Sequence, residues 1–196
     1  IRLTDLTIQV SGRPREVTVL EIVNDNMPFL LDSTLAELTE RGLEIRFLAH
    51  PILAVERGED GGLKRFAGEA QATGQVGTRR ESLIQVHLDP IDDKATREGL
   101  ATALGHIYSD VRVAVRDWGA MRGRVAAIGY SYRTNPPPLP SEEVAEAVAL
   151  LDWLAADHFT LLGLREYRYE PGASAESSVE GSGLGILADP EVKILR

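Results

Sequence analysis

The sequence predicts an α+β fold in which an antiparallel sheet carries two helices on one face, followed by a smaller helix-and-hairpin α+β unit. Three observations lead there. Short segments alternate apolar and polar residues with the period of two that a half-buried strand requires. Two longer segments place leucines at three- and four-residue spacing, the stripe of an amphipathic helix. A run from Asn135 to Pro140 (NPPPLP) interrupts the chain with residues that favour extended polyproline geometry. These divide it into an expected domain at 1–134, a linker at 135–140 and a smaller unit at 141–196.

The first domain opens on Leu3, Leu6 and Ile8 among polar residues, then turns at Ser11-Gly12-Arg13-Pro14 into the apolar Val17–Val23, a hairpin. A helix is expected over 28–41, with Asp25 or Asn26 as cap, Pro28 in the first turn, Leu31, Leu35 and Leu38 as its stripe and Gly42 as its stop. Leu43, Ile45 and Phe47 begin a strand running to Val55. It turns at Gly58–Gly62 into a weaker return strand over 63–70, and the glycines of 73–80 suggest a loop. Ile84, Val86 and Leu88 alternate in the next strand, which Asp89-Pro90 ends. Asp92 or Asp93 then caps a long helix with Leu100, Leu104, Ile107, Val111, Val115 and Trp118 on its stripe, reaching Val125. The two helices need one apolar surface to cover, which an antiparallel sheet supplies.

In the second unit, Ser141 with Glu142 and Glu143 starts a helix whose Val144, Val148 and Leu151 share a face, ending near Asp157. Phe159–Glu170 reads as a strand with Gly185–Leu187 as its partner across a Ser- and Gly-rich loop at 171–183. Tyr130, Tyr132, Tyr167 and Tyr169 take alternate positions on strand-like segments, a packing-edge or interface pattern.

Composition removes several function classes. With 43% apolar residues the chain can build a core, while 30 acidic against 21 basic residues give a net charge of -9, which argues against a phosphate-backbone binder. There is no Cys, so neither disulfides nor thiolate metal sites are available, and a cytoplasmic setting is the simple expectation. No apolar run reaches the roughly 20 residues of a membrane span. Beginning at Ile1 without Met and stopping just after Val192–Leu195, the chain reads as a piece of something longer.

Few residue groups could carry chemistry. His50, His87, His106 and His158 have no metal-ligand spacing, so no metal is expected. Asp89, Asp92 and Asp93 read as strand-end and helix-cap residues. Gly183-Leu184-Gly185-Ile186-Leu187-Ala188 fits G-x-G-x-x-A, but a Ser/Gly loop precedes it and Asp189-Pro190 interrupts any following helix. A dinucleotide fingerprint needs a strand before, a helix within and an acidic residue about 20 positions on, so the motif is rejected as a cofactor site. Arg79-Arg80 and Arg122-Gly123-Arg124 are too small for nucleic acid and suit pairing with acidic protein surface. At Asn24-Asp25-Asn26, short polar side chains meet the free N–H groups of a helix start. That combination either caps the helix or grips the carboxylate and amine of a ligand.

The stretch from Val23 to Ser33 (VNDNMPFLLDS) resembles the strand-to-helix turn of ACT domains, small ferredoxin-like modules that often sense amino acids. It resembles more closely the N-terminal regulatory region of the large bacterial NAD-specific glutamate dehydrogenases. That likeness continues through Leu43–Pro51, Glu81–Ile91, Leu151–Tyr167 and Gly181–Leu187. The resemblance implies a ferredoxin-like (ACT-like) domain; the element order read above departs from it by an added N-terminal strand, a candidate for the last ACT strand, and leaves the strand order open. It also implies a non-catalytic regulatory or assembly region of an enzyme that converts L-glutamate and NAD to 2-oxoglutarate and ammonia. No catalytic or cofactor-binding residue is expected in this segment, NAD belonging to the full-length enzyme. The expected partners are the rest of the parent dehydrogenase chain and further copies in a homo-oligomer. An amino-acid effector would be held by Asn24, Asp25, Asn26, Met27 and Phe29. Ligand-binding ACT turns commonly carry Gly directly after the Pro, whereas here Phe29 follows Pro28, so a site plugged by Phe29, or a purely structural interface, stands as the alternative.

Overall fold

Among the described residues, the alternating segments form a six-stranded antiparallel sheet and two short two-stranded sheets, and the helical stripes form three α-helices. The structure, a computed structural model, describes residues 1–71, 74–168 and 177–192. The chain divides into two compact units, Ile1–Ser109 and Asp110–Arg196. The proline-rich segment expected as a boundary lies inside the second unit, because one helix continues from Lys94 to Thr134 through the division.

In the first unit the elements run β1 (Arg2–Val10), β2 (Arg13–Asp25), α1 (Leu30–Glu40), β3 (Ile45–Ala49), β4 (Ile52–Arg57), β5 (Leu63–Glu69), β6 (Arg79–Leu88) and the start of α2 (Lys94–Thr134). The sheet order is β1-β2-β6-β4-β5, with β3 also pairing β6. The expected single strand at 43–55 is thus two, both laid on β6 and interrupted at His50-Pro51, where Pro cannot donate a ladder hydrogen bond. The segment 79–80, expected in a loop, is the start of β6. The N-terminal strand β1 forms the sheet edge beside β2, and all pairings are antiparallel.

Register decides the faces. Thr18, Leu20 and Ile22 of β2 stand opposite Leu88, Val86 and Ile84 of β6. The apolar five are at most 1% exposed, each worth roughly 1.5–3 kcal/mol of burial. The Thr18 hydroxyl donates to Asp5 (2.9 Å) and accepts the Ile91 N–H (3.0 Å), while Arg97 of α2 donates to Asp5 (2.6 Å). These bonds bring the start of α2 over this face. The Thr34 and Tyr108 hydroxyls lie 2.7 Å apart and join α1 to α2; burial pushes the Tyr108 phenol up. Leu30 and Leu38 of α1, with Leu100 and Leu104 of α2, complete the layer. Tyr108 takes the place on the stripe that Ile107 was expected to hold, and Trp118 is exposed.

Two helix ends are legible in detail. Asp93 caps α2, its carboxylate accepting the Thr96 N–H at 2.7 Å and hydroxyl at 2.6 Å. Gly42 ends α1 at φ 66°, with its N–H on Thr39 O and that of Leu43 on Leu38 O, the paired bonds of a Schellman cap.

The second unit contains the rest of α2, α3 (Ser141–Trp153), β7 (Gly163–Leu164), β8 (Tyr167–Arg168), β9 (Ser177–Ser178) and β10 (Leu184–Gly185). Tyr130 and Tyr132 lie on α2, not on a strand, because the helix runs nine residues past the expected Val125. After Trp153 the chain makes one wide turn and breaks at Asp157, φ 63°. The expected strand 159–170 survives as the short β7 and β8, paired to β10 and β9; residues 169–170, including Tyr169, lie outside the described residues.

Candidate functional site

The predicted turn residues divide between two places. Asn24 and Asp25 are the last residues of β2, opposite Ser82 and Glu81. Asn26 leaves the strand with its N–H on Arg80 O at 3.0 Å. Neither Asp25 nor Asn26 caps α1: the N-cap is Phe29, in the left-handed region at φ 70°, with no side-chain cap. Pro28 therefore precedes the helix. A bulky residue in that conformation is uncommon and costs about 1–2 kcal/mol.

What the fold builds around Asp25 is a charged hollow of about 230 Å3, bordered by Val23, Asn24, Asp25, Arg57, Gly61, Arg79 and Glu81. Asn26, Met27 and Phe29 are not in its lining, and Phe29 is 44% exposed rather than filling it. The register explains the gathering. Val23 and Asp25 of β2 pair with Leu83 and Glu81 of β6, and Arg79 of β6 pairs with Val55, two residues before Arg57 on β4. With a period of two, these side chains emerge on the sheet face opposite the helices. The hollow is thus a feature of the sheet's open face, away from the helix N-terminus.

Its anchor is Glu81, whose side chain is 4% exposed. Arg57 grips both carboxylate oxygens, at 2.9 and 2.6 Å, and Arg79 adds a third bond at 2.9 Å. Charge-assisted bonds of this forked kind are about twice as strong as neutral ones. The Arg57 guanidinium, seconded by Arg79, holds the Glu81 carboxyl below the usual carboxylate range. At the rim Arg79 approaches Asp25 at 3.3 Å, where both remain more than half exposed. Arg79 bridges Glu81 and Asp25, and the outer Arg79–Asp25 pair presents one cation and one anion to solvent. A small molecule bearing an amine and a carboxylate matches that outer arrangement in charge.

Arg57, Arg79 and Glu81 escaped the sequence reading as site residues. The signal was there: Arg79 and Glu81 are two apart, and once β6 is extended back to Arg79 they share a face.

The other motifs resolve structurally. A Cβ built on Gly183 would stand 2.2 Å from Leu187 O, one on Gly185 2.2 Å from Leu162 O, and one on Gly163 2.7 Å from the Leu187 side chain. Gly185 also has φ 59°. The glycines let β10 and the turn after it pack backbone to backbone on β7. Asp117 of α2 accepts the Gly185 N–H at 2.9 Å; Arg116, and then that N–H, pull its carboxyl down to about 2. His50 Nε2 lies 2.7 Å from the Ser82 hydroxyl, and the His87 ring packs on Phe47. Among the described residues no His, Asp and Glu group is arranged to hold a metal, and no helix is long and apolar enough to cross a membrane.

Compared with known proteins, residues 1–104 match the family described as glutamate dehydrogenase, ACT1 domain. The chain is 31% identical over 190 residues to an NAD-specific glutamate dehydrogenase of Halomonas elongata, covering 95% of this chain and 12% of the relative. It is 30% identical over 171 residues to an NAD-specific glutamate dehydrogenase of Pseudomonas aeruginosa, covering 86% of this chain and 10% of the relative. The chain therefore spans about a tenth of the length of these curated relatives.

Proposed function

The chain belongs to the glutamate dehydrogenase ACT1-domain family, and from that premise we propose that it is a non-catalytic regulatory and assembly region of an NAD-specific glutamate dehydrogenase. The parent enzyme would convert L-glutamate and NAD to 2-oxoglutarate and ammonia, with its catalytic and NAD-binding residues in the remainder of the chain. The observation that carries the reading is the open sheet face of the matched unit. Leu6, Val23, Phe47 and Phe66 lie on it at 48–59% exposure, a surface suited to contact with another protein surface. Purified residues 1–196 supplied with glutamate and NAD are expected to produce no NADH. Measurable turnover would overturn the assignment.

The hollow at Asp25 favours a second reading, that the region also senses an amino-acid effector. Asp25 would hold the ammonium and Arg79 the carboxylate, with the Arg57–Glu81 pair as a fixed floor. Of the turn residues first expected to bind, Asn24 and Asp25 border this site, while Asn26, Met27 and Phe29 stand outside it. Titration calorimetry against a panel of amino acids should give heat that Asp25→Ala abolishes. Silence across the panel would leave assembly as the whole role.

A further inference from the structure

The second unit holds a helix that the described residues leave half covered. α3 is 13 residues long and buries none of them fully, and its stripe of Val144, Val148 and Leu151 is only half-buried. It leans on α2 where Leu151 and Asp152 approach Gly129, a Cβ at which would stand 3.6 Å from each, and where Asp152 pairs with Arg133. A helix of this length is marginal in water by itself and takes its stability from packing. On the side away from α2, Leu150 and Trp153, neighbours at three-residue spacing, are 56% and 48% exposed. Glu142, Glu143 and Glu146 continue that face toward the helix start. Among the described residues none of the three is in an ion pair, whereas Asp152 of the same helix is. The helix dipole favours Glu142 and Glu143 in the first turn but not Glu146, which lies beyond the turn over which it acts.

We propose that this outward face of α3 is the docking site for a surface of the parent dehydrogenase chain outside residues 1–196, one that sets apolar side chains on Leu150 and Trp153 and Lys or Arg on Glu142, Glu143 and Glu146. The charge pattern argues against a second copy as occupant. Parallel α3 helices would set Glu146 beside its own copy, and antiparallel ones would press the acidic end onto Leu150 and Trp153, stripping water from carboxylates with no cation to receive them. A different surface, apolar at one end and basic at the other, satisfies both ends, with Trp153 as the kind of anchor that dominates such contacts. The family match stops at residue 104, yet the likeness to the Halomonas elongata dehydrogenase covers 95% of the chain, a span that must include α3, and only 12% of that relative. A segment of the same chain also docks at high effective concentration, so a face of this size suffices. The inference rests on the parent-enzyme reading above and gives the second unit its part in it.

The chain has no Cys, so Leu150→Cys supplies a single reporter on this face. Its maleimide labelling, read by peptide mass spectrometry, is compared between the 196-residue chain and the full-length parent dehydrogenase. In the parent it should be about tenfold slower, as expected of a docked surface that is open one time in ten. Adding Glu146→Lys, with the helical circular dichroism unchanged, should restore the faster rate in the parent by setting like charges together. Equal rates in the two chains would overturn the docking site. Slow labelling in the 196-residue chain as well would overturn it in favour of self-association, and protection in the parent that ignores Glu146→Lys would overturn the basic partner surface. The parent-enzyme reading fails on a different result, turnover of glutamate and NAD by residues 1–196 alone.

Discussion

The two units hold themselves together by different means. In the first, Leu20, Ile22, Leu30, Leu38, Ile84, Val86, Leu88, Leu100 and Leu104 are nearly inaccessible and form a layer between sheet and helices. In the second, α3 buries no residue fully, and Leu150, Trp153, Phe159 and Leu162 are about half exposed. Its buried apolar residues are few, Ala114, Met121, Val125 and Leu187, and most of its fixed points are polar or backbone contacts. The Arg165 guanidinium donates to the carbonyls of Leu187, Asp189 and Val192. Arg122 pairs with Asp157, Arg124 with Glu166 and Arg133 with Asp152, and three glycines admit close backbone approach. Apolar burial scales with area and is cooperative across a layer, whereas exposed ion pairs contribute little each. The first unit should therefore be the more resistant to denaturant, and both Trp residues, Trp118 and Trp153, lie in the second. Tryptophan fluorescence then follows one unit while far-ultraviolet circular dichroism follows both.

The largest effect is expected from Leu20→Ala, which removes a fully buried side chain from the first unit and should cost about 3–4 kcal/mol. It should shift the late part of the circular dichroism transition toward lower denaturant and leave the fluorescence transition in place. Coincident shifts would mean that the long helix makes the two units one cooperative body. Next, Gly185→Ala forces a Cβ against the Leu162 carbonyl in a positive-φ position and should cost the second unit roughly 3 kcal/mol. An unchanged fluorescence midpoint would remove the backbone-contact account.

Arg57→Ala is expected to cost the first unit about 2 kcal/mol near neutral pH, since it leaves the buried Glu81 carboxylate with only Arg79. The sign with pH follows from Glu81. Its folded carboxyl sits below its ordinary 4.5, so its stabilisation is complete above that value and is lost as pH falls through the lowered folded one. The gap between parent and Arg57→Ala should accordingly close on acidification; a gap that widens would show that Glu81 is not the partner that matters. The smallest effect runs the other way. Phe29→Gly relieves a left-handed conformation at the helix start and should stabilise by up to about 1 kcal/mol, the gain reduced by the greater freedom of Gly in the unfolded chain. A loss would mean that Phe29 makes contacts worth more than its strain.

The same contrast governs what could be read in advance. β2, β6, α1 and α2 were visible because each buries side chains on a fixed period, α3 because acidic residues fill its first turn, and Asp93 and Gly42 did what their residue types favour. The helix start at Phe29 was misplaced because Asp25 and Asn26 have the right chemistry for a cap, yet pairing with β6 keeps β2 running to Asp25 and carries them past the position. The tyrosines at 130 and 132 alternate like a strand, and helix continuation from α2 overrode that weak local signal. In the second unit, Gly183 and Gly185 matched a nucleotide pattern out of context and Gly163 gave no signal, since a sequence does not say which backbone will approach a missing side chain.

The sequence by itself determined the α+β class, the leucine stripes and the family resemblance. All of these depend on near neighbours in the chain or on patterns repeated along it. Only the tertiary structure decided that Asp25 meets Arg79 and that Arg57 meets Glu81, partners 54 and 24 positions apart. It also decided that Phe29 stands clear of that hollow, and that β1 lies at the sheet edge beside β2. Those facts follow from strand register, which the buried face selects as a whole, and no single residue carries that information.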